Sequence, residues 1–185
     1  MEWNRSETLA LASAKCKYCK GSGLLRHDDG PDQPCNCVLR VIFRGCFRRF
    51  IECACTVSLE IAVTQEAGAG WSRKNEEYLA DFELIMRRVL TEGEQKIFRY
   101  HYLLGADSVL CCRKMGMQKG VFFHNVYRIQ HKLGRAFREV EPYALFPTDE
   151  YFTPMMRERT VARVIPIKPP GRALTAEQIP LKRAA

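Results

Sequence analysis

No stretch of this chain is apolar for long enough to cross a bilayer, which takes about 20 residues. The start, MEWNRSETLALASAKC, has neither a basic leader nor a sustained apolar run, so it does not read as a signal peptide. There is no internal repeat, which excludes repeat architectures. A carboxylate pair, a nucleophile triad and a phosphate loop are all missing from any convincing setting, so the chain is not expected to be an enzyme. Asp28, Asp29 and Asp32 lie near His27, as in a metal nuclease, but a charged loop between cysteine pairs explains them more simply. An odd number of cysteines, nine, argues against a complete disulfide framework.

One absence is local. Arg113–Arg138, RKMGMQKGVFFHNVYRIQHKLGRAFR, contains no Asp or Glu, yet it holds seven Lys or Arg residues and two His. Between Met86 and Glu139, 11 basic residues face 4 acidic ones, so +7 of the net charge of +8 sits there. The first 35 residues are neutral, with five of each sign. Charge gathered in one segment favours a binding face over a generally solubilised surface.

With 185 residues, 46% of them hydrophobic, the chain can bury a real core as one domain or two small modules. The pattern predicts a mainly α fold: a small N-terminal zinc knuckle, then a helical bundle ending in a helix–turn–helix. Residues 1–37 read as a leader and the knuckle, and residues 38–67 as an amphipathic helix. Residues 72–141 read as a helical domain with the helix–turn–helix at 107–139, and residues 142–185 as a Pro-rich basic tail. In the first long helix Leu39, Ile42, Phe43, Cys46, Phe50, Cys53 and Val57 recur at three and four, with Arg40, Arg44 and Arg48 on another face. Gly68 and Gly70 mark a linker. Tyr78, Leu79, Phe82, Ile85, Met86 and Val89 share a face of the next helix.

Thr91-x-x-Glu94 is a capping box that starts a helix running to Leu104, with Gly105 as terminator. Asp107 caps a short helix, Gly116 turns the chain, and a long helix runs from about Gln118 to Glu139. At 100° per residue Phe122, Val126, Ile129, Leu133 and Phe137 fall within about 80° and form its core stripe. Gly120, His124, Tyr127, Arg128, His131, Arg135 and Arg138 fall opposite. Residues 143–154 are rich in aromatics and can pack back on the body. Thr160–Ile165 is a candidate short strand.

A helix in a major groove faces bases with its first residues while flanking cations grip phosphates. Lys119 and His124 are therefore placed to approach bases, and Arg128, His131 and Arg135 to hold phosphates. Leu90–Phe137 resembles the promoter-reading last domain of bacterial sigma factors. The matching positions are Leu90, Glu94, Tyr102, Gly105, Cys112, Gly116, Gly120, Phe122, Arg128, Lys132 and Leu133. The resemblance implies double-stranded DNA as partner, with Lys119, His124, Arg128, His131, Lys132 and Arg135 as contacts, and RNA polymerase as a second candidate partner. That family's base-reading positions fall here on Lys119, Gly120, Val121, Phe123 and His124. Three of the five cannot donate through a side chain, so grip is expected more than base discrimination. The other sigma domains are missing, so this is not a self-sufficient sigma factor.

Cys16-Lys-Tyr-Cys19-Lys-Gly-Ser-Gly23 and Cys35-Asn-Cys37 bracket a gap of 15 residues. A Cys-x-x-Cys knuckle turns two thiolates inward, and a second pair completes a tetrahedral Zn²⁺ site. Cys16, Cys19, Cys35 and Cys37 are the expected ligands, with His27 as substitute for Cys35 or Cys37. A redox Cys-x-x-Cys is the rival, although such motifs sit at strand–helix junctions and this one lies in a Gly-rich turn. Four Cys leave no open position, so the zinc is expected to be structural. Cys46, Cys53, Cys111 and Cys112 are expected to pack as small hydrophobes, and Cys55 to be partly exposed. The Cys-x-x-Cys-x-Gly-x-Gly string resembles half of the DnaJ zinc repeat and the zinc segment of phage Q antitermination proteins. Together the resemblances imply a phage or prophage transcription regulator, in the cytoplasm of a bacterial host, with neither a membrane nor a small-molecule partner. A polymerase-binding adaptor of the antitermination type, without sequence-specific DNA reading, is the alternative.

Overall fold

A computed structural model describes residue 3 and residues 5–27, 30–63, 69–141 and 143–152, the side chains of residues 5, 27, 58–63 and 69–72 excepted. The candidate strand Thr160–Ile165 and most of the expected tail lie outside the described residues. The fold is mainly α with one small sheet. Helix α1 (Arg5–Leu11) leads into the knuckle, and strands β1 (Leu24–His27) and β2 (Gly30–Pro34) pair antiparallel. Helices α2 (Asn36–Val63), α3 (Ala69–Val89) and α4 (Glu92–Phe98) follow, then a π-helical turn (Arg99–Leu103). Helices α5 (Ser108–Met115), α6 (Lys119–Glu139) and α7 (Thr148–Phe152) complete the described chain. These elements belong to one compact unit, Met1–Pro154. Among the described residues no helix is long and apolar enough to cross a membrane.

The stripes read from sequence are the faces that meet. Val38, Leu39, Ile42, Phe43, Cys46, Phe50 and Cys53 of α2 are buried. Tyr78, Phe82 and Ile85 of α3 and Phe122, Val126, Ile129, Leu133 and Phe137 of α6 are buried with them. Phe82 joins the three helices: its ring centroid lies 4.3 Å from that of Phe50 and 4.7 Å from that of Phe137. Such aromatic pairs add to the area they bury by about 0.5–1.5 kcal/mol each. Leu79, Met86 and Val89 are half-buried at the edge of the same core.

The helix expected to run unbroken to Leu104 changes pitch at Arg99. The π turn inserts one residue and sets the half-buried Tyr102 against the core. Its ring stacks on Phe98 at 5.1 Å and meets Phe43 and Phe47 edge-on at 5.2 and 5.4 Å. Its hydroxyl accepts from Gln130 Nε2 at 2.8 Å. Packing of one bulky ring, invisible to periodicity, decides the pitch. The caps stand where the sequence put them. Thr91 and Glu94 form the reciprocal box, Leu110 N donates to Asp107 Oδ1 at 2.7 Å, and Gly116 ends α5 at φ 63°.

The linker reading of Gly70 does not hold, because α3 already begins at Ala69; Gly68 lies outside the described residues. Leader residues Trp3 and Glu7 are anchored to the end of α6. Arg138 donates to Glu7 and stacks over Trp3 at 4.1 Å, and Trp3 Nε1 donates to Glu139 at 3.0 Å. Residues 143–152 do pack back: Leu145 is buried, Tyr151 donates to Asp81 Oδ2 at 2.6 Å, and Arg49 covers Phe152 at 4.0 Å.

Candidate metal centre and basic groove

Cys16–Cys19 is a tight turn. Lys20 N donates to Cys16 O at 3.0 Å, and Ser22 Oγ to Cys19 O at 2.8 Å. Gly21 and Gly23 take positive φ, 89° and 77°. Gly23 is also confined from outside: a Cβ there would lie 2.3 Å from Thr8 O of α1. The hairpin then returns the chain. Leu24 pairs with Pro34, so Cys35 follows directly opposite Gly23 and donates its amide to Gly23 O at 2.8 Å. This ladder, rather than loop flexibility, sets the second cysteine pair against the first. The charged loop expected between the cysteine pairs contains a two-stranded ribbon, Leu24–His27 against Gly30–Pro34.

The sulfurs of Cys16, Cys19, Cys35 and Cys37 all lie within 4.8 Å of one another, and the pairs Cys16–Cys35 and Cys19–Cys37 are 3.6 Å apart. A disulfide needs about 2.05 Å. Ligands about 2.3 Å from a tetrahedral Zn²⁺ would sit roughly 3.8 Å apart. The four thiols are free, and their spacing fits one ion between them. Backbone amides of Cys19 and Tyr18 point at the Cys16 sulfur and hold its pKa down to about 6. Burial pushes Cys35 up to about 12 and Cys37 upward as well. Burial disfavours thiolates at Cys35 and Cys37, and a divalent ion between the sulfurs would supply the compensating charge. The cluster is complete with the four cysteines, and the side chain of His27 lies outside the described residues. Cys46, Cys53 and Cys111 are buried in the core, Cys112 is half-buried and Cys55 is exposed.

The basic residues of α6 are not equivalent. Lys119, His124 and Arg135 are exposed and make no ion pair among the described residues. Arg128 Nε and Lys132 Nζ instead meet one carboxylate, Glu94, at 2.8 and 2.9 Å. Glu94 is only 2% exposed, and its Oε2 also accepts from Thr91 N at 2.9 Å. The capping residue of α4 is thus the counter-ion of α6. His131 is half-buried; burial, then the Arg40 charge, pull its pKa down to about 4, so it is neutral near pH 7. Of the base-reading positions that the resemblance implies, Phe123 is half-buried edge-on to Phe122 at 5.4 Å and Val121 is exposed. Asp32 is exposed on β2, and Asp28 and Asp29 lie outside the described residues.

Burial pushes the Glu94 carboxyl up, but Lys132 and the Thr91 amide and hydroxyl outweigh it and leave the pKa lowered. A lowered folded pKa stabilises the fold above the ordinary carboxylate range and is lost as pH falls through the folded value. Glu94→Gln should cost about 1–2 kcal/mol at pH 7, because Arg128 and Lys132 keep 49% and 36% of their side chains exposed and solvent screens them. Urea melts from pH 7 down to pH 3 should show the difference shrinking with acid; a difference that does not change with pH would refute the ionic role.

A groove of about 760 Å³ lies beside the cluster. Lys17 and Tyr18 of the knuckle, Arg40 and Arg44 of α2, and His124, Tyr127 and Arg128 of α6 line it. The i, i+4 arginine stripe of α2 and the polar face of α6 with His124, Tyr127, Arg128 and His131 were the signals of this site in the sequence. The knuckle's Lys17 and Tyr18 gave no signal, since nothing local shows which helix they face.

No protein-family model, curated protein or solved structure matches the chain.

Proposed function

We propose that the protein is a DNA-binding transcription regulator of phage or prophage origin, with a structural Zn²⁺ in the four-cysteine cluster. Four thiolates at tetrahedral spacing suit a soft, borderline ion such as zinc, with no position left for a reacting water. Cys16, Cys19, Cys35 and Cys37 would hold it. The helix–turn–helix α5–α6, sigma-like in its sequence pattern, would meet double-stranded DNA.

One observation carries the reading. Arg113, Lys114, Lys119 and Arg135, on α5 and α6, are exposed and have no carboxylate partner among the described residues. Unpaired cations on a helix–turn–helix are available to displace counterions from phosphates. Arg128 and Lys132, spent on Glu94, serve more to orient α6 against α4 than to grip DNA. A mobility-shift series across salt tests this. Lys119→Glu with Arg135→Glu should lower duplex affinity and reduce the slope of log K against log salt by about 2. Duplex binding that ignores both reversals would overturn it.

A second reading, an adaptor on RNA polymerase, is favoured by a different observation. Leu104, Val109 and Leu110 are each more than half exposed around the turn into α5. Apolar side chains clustered at one turn suit a protein partner better than a phosphate backbone. Co-purification with polymerase, lost on Leu104→Asp or Leu110→Asp while free-DNA affinity is absent, would select this reading.

A further inference from the structure

The groove beside the metal cluster joins three parts of the chain that are distant in sequence: the knuckle, the first turns of α2 and the middle of α6. Its lining includes Lys17, Arg40, Arg44 and Arg128 and no carboxylate. Arg128 shares its charge with Glu94, but Lys17 and Arg44 are exposed and make no ion pair among the described residues. Aromatic rings interleave with these cations. Tyr18 is 80% exposed at the tip of the knuckle, and Tyr127 carries the Arg40 guanidinium 4.1 Å over its ring. An aromatic ring held in water between two metal-ligand positions has no packing role to explain it.

Cations along a concave slot with exposed aromatic rings match the needs of a single nucleic acid strand. The cations track phosphates and each ring offers a face on which any base can stack. A duplex instead meets a projecting helix. We propose that this groove binds a single-stranded nucleic acid segment, with Lys17, Arg40 and Arg44 along its phosphates and Tyr18 stacked on a base. This goes beyond duplex binding by α5–α6 and places the metal knuckle in a binding wall rather than in a purely supporting role. Cys16 and Cys37 also line the groove, so the wall carrying Lys17 and Tyr18 is continuous with the cluster itself.

Fluorescence anisotropy with labelled oligo(dT), oligo(U) and a duplex, each across a salt series, tests the proposal on the full chain. Lys17→Glu with Arg44→Glu should weaken single-strand binding at least tenfold and lower its salt slope by about 1.4. Tyr18→Ala should weaken it roughly tenfold with little change in slope, the mark of lost stacking. Arg44→Glu alone, on α2 and away from the ligands, separates loss of the groove from loss of metal, which is measured for every variant. Tighter binding of oligo(U) would assign the groove to RNA, and tighter binding of oligo(dT) to single-stranded DNA. Wild-type protein that binds neither oligonucleotide, or single-strand binding untouched by Arg44→Glu and Tyr18→Ala, would overturn the proposal. Duplex binding lost only on Lys119→Glu with Arg135→Glu would leave the regulator reading intact whichever way the groove resolves.

Discussion

Adding zinc to metal-free protein should fill the Cys16–Cys19–Cys35–Cys37 cluster with one ion per chain, and a strong chelator should then unfold the knuckle. The knuckle has little else to hold it: Lys15, Lys17, Tyr18 and Lys20 are exposed, and the ribbon has only two strands. An isolated two-stranded ribbon is marginal in water. Structural Zn²⁺ in small domains is worth about 10–16 kcal/mol of apparent binding energy. Part of that would be spent here on ordering the hairpin and deprotonating thiols held high by burial, so affinity should fall as pH falls. The cluster meets the core of α2, α3 and α6 through Cys37 at the start of α2, while the rest of that core lies beyond it, so its helical signal should survive chelation. Hydrogen exchange would localise the loss to residues 13–37. Cys35→Ser, at the most buried ligand position, should abolish stoichiometric binding. Metal uptake by that variant equal to wild type would refute the four-thiolate site.

Gly134→Ala should destabilise the protein by about 3 kcal/mol, the upper range for overpacking. On helix propensity alone it should stabilise, since Gly in a helix interior costs up to about 1 kcal/mol relative to Ala. Tertiary contact reverses the sign. A Cβ at Gly134 of α6 would lie 2.1 Å from Leu39 O and 2.8 Å from Leu39 C of α2. Both atoms are backbone, so no rotamer change relieves the clash and the two helices must part. Gly45, within α2, has nothing within 4 Å of a built Cβ. Gly45→Ala should therefore stabilise by roughly 0.5–1 kcal/mol. Urea denaturation of the pair decides the matter: equal effects of the same sign would show that α2 and α6 do not meet this closely.

The two glycines read alike in the sequence, each a small residue inside an amphipathic pattern. The same holds for the cations of α6. Arg128, Lys132 and Arg135 lie on one stretch of helix, yet two are held by Glu94 and the third is free. Glu94 itself was legible as the fourth residue of a capping box, because that contact spans three residues. Its pairing with Arg128 and Lys132 spans 34 and 38. His131 reads as a phosphate-holding group, but burial and the charge of Arg40 on α2 keep it neutral.

The sequence by itself determined the long helices, their buried stripes, the caps at Thr91, Asp107 and Gly116, and the four cysteines of the candidate metal centre. Those features follow from contacts within about one helical turn, or from cysteine spacing around a tight knuckle. Only the tertiary structure decided the pitch change at Arg99, the ribbon that sets Cys35 and Cys37 against Cys16 and Cys19, and which α6 charges are free. It alone brought Lys17 and Tyr18 opposite Arg40, Arg44 and Tyr127. Each of these depends on two surfaces distant in the chain meeting, and local periodicity carries no record of which surface lies opposite.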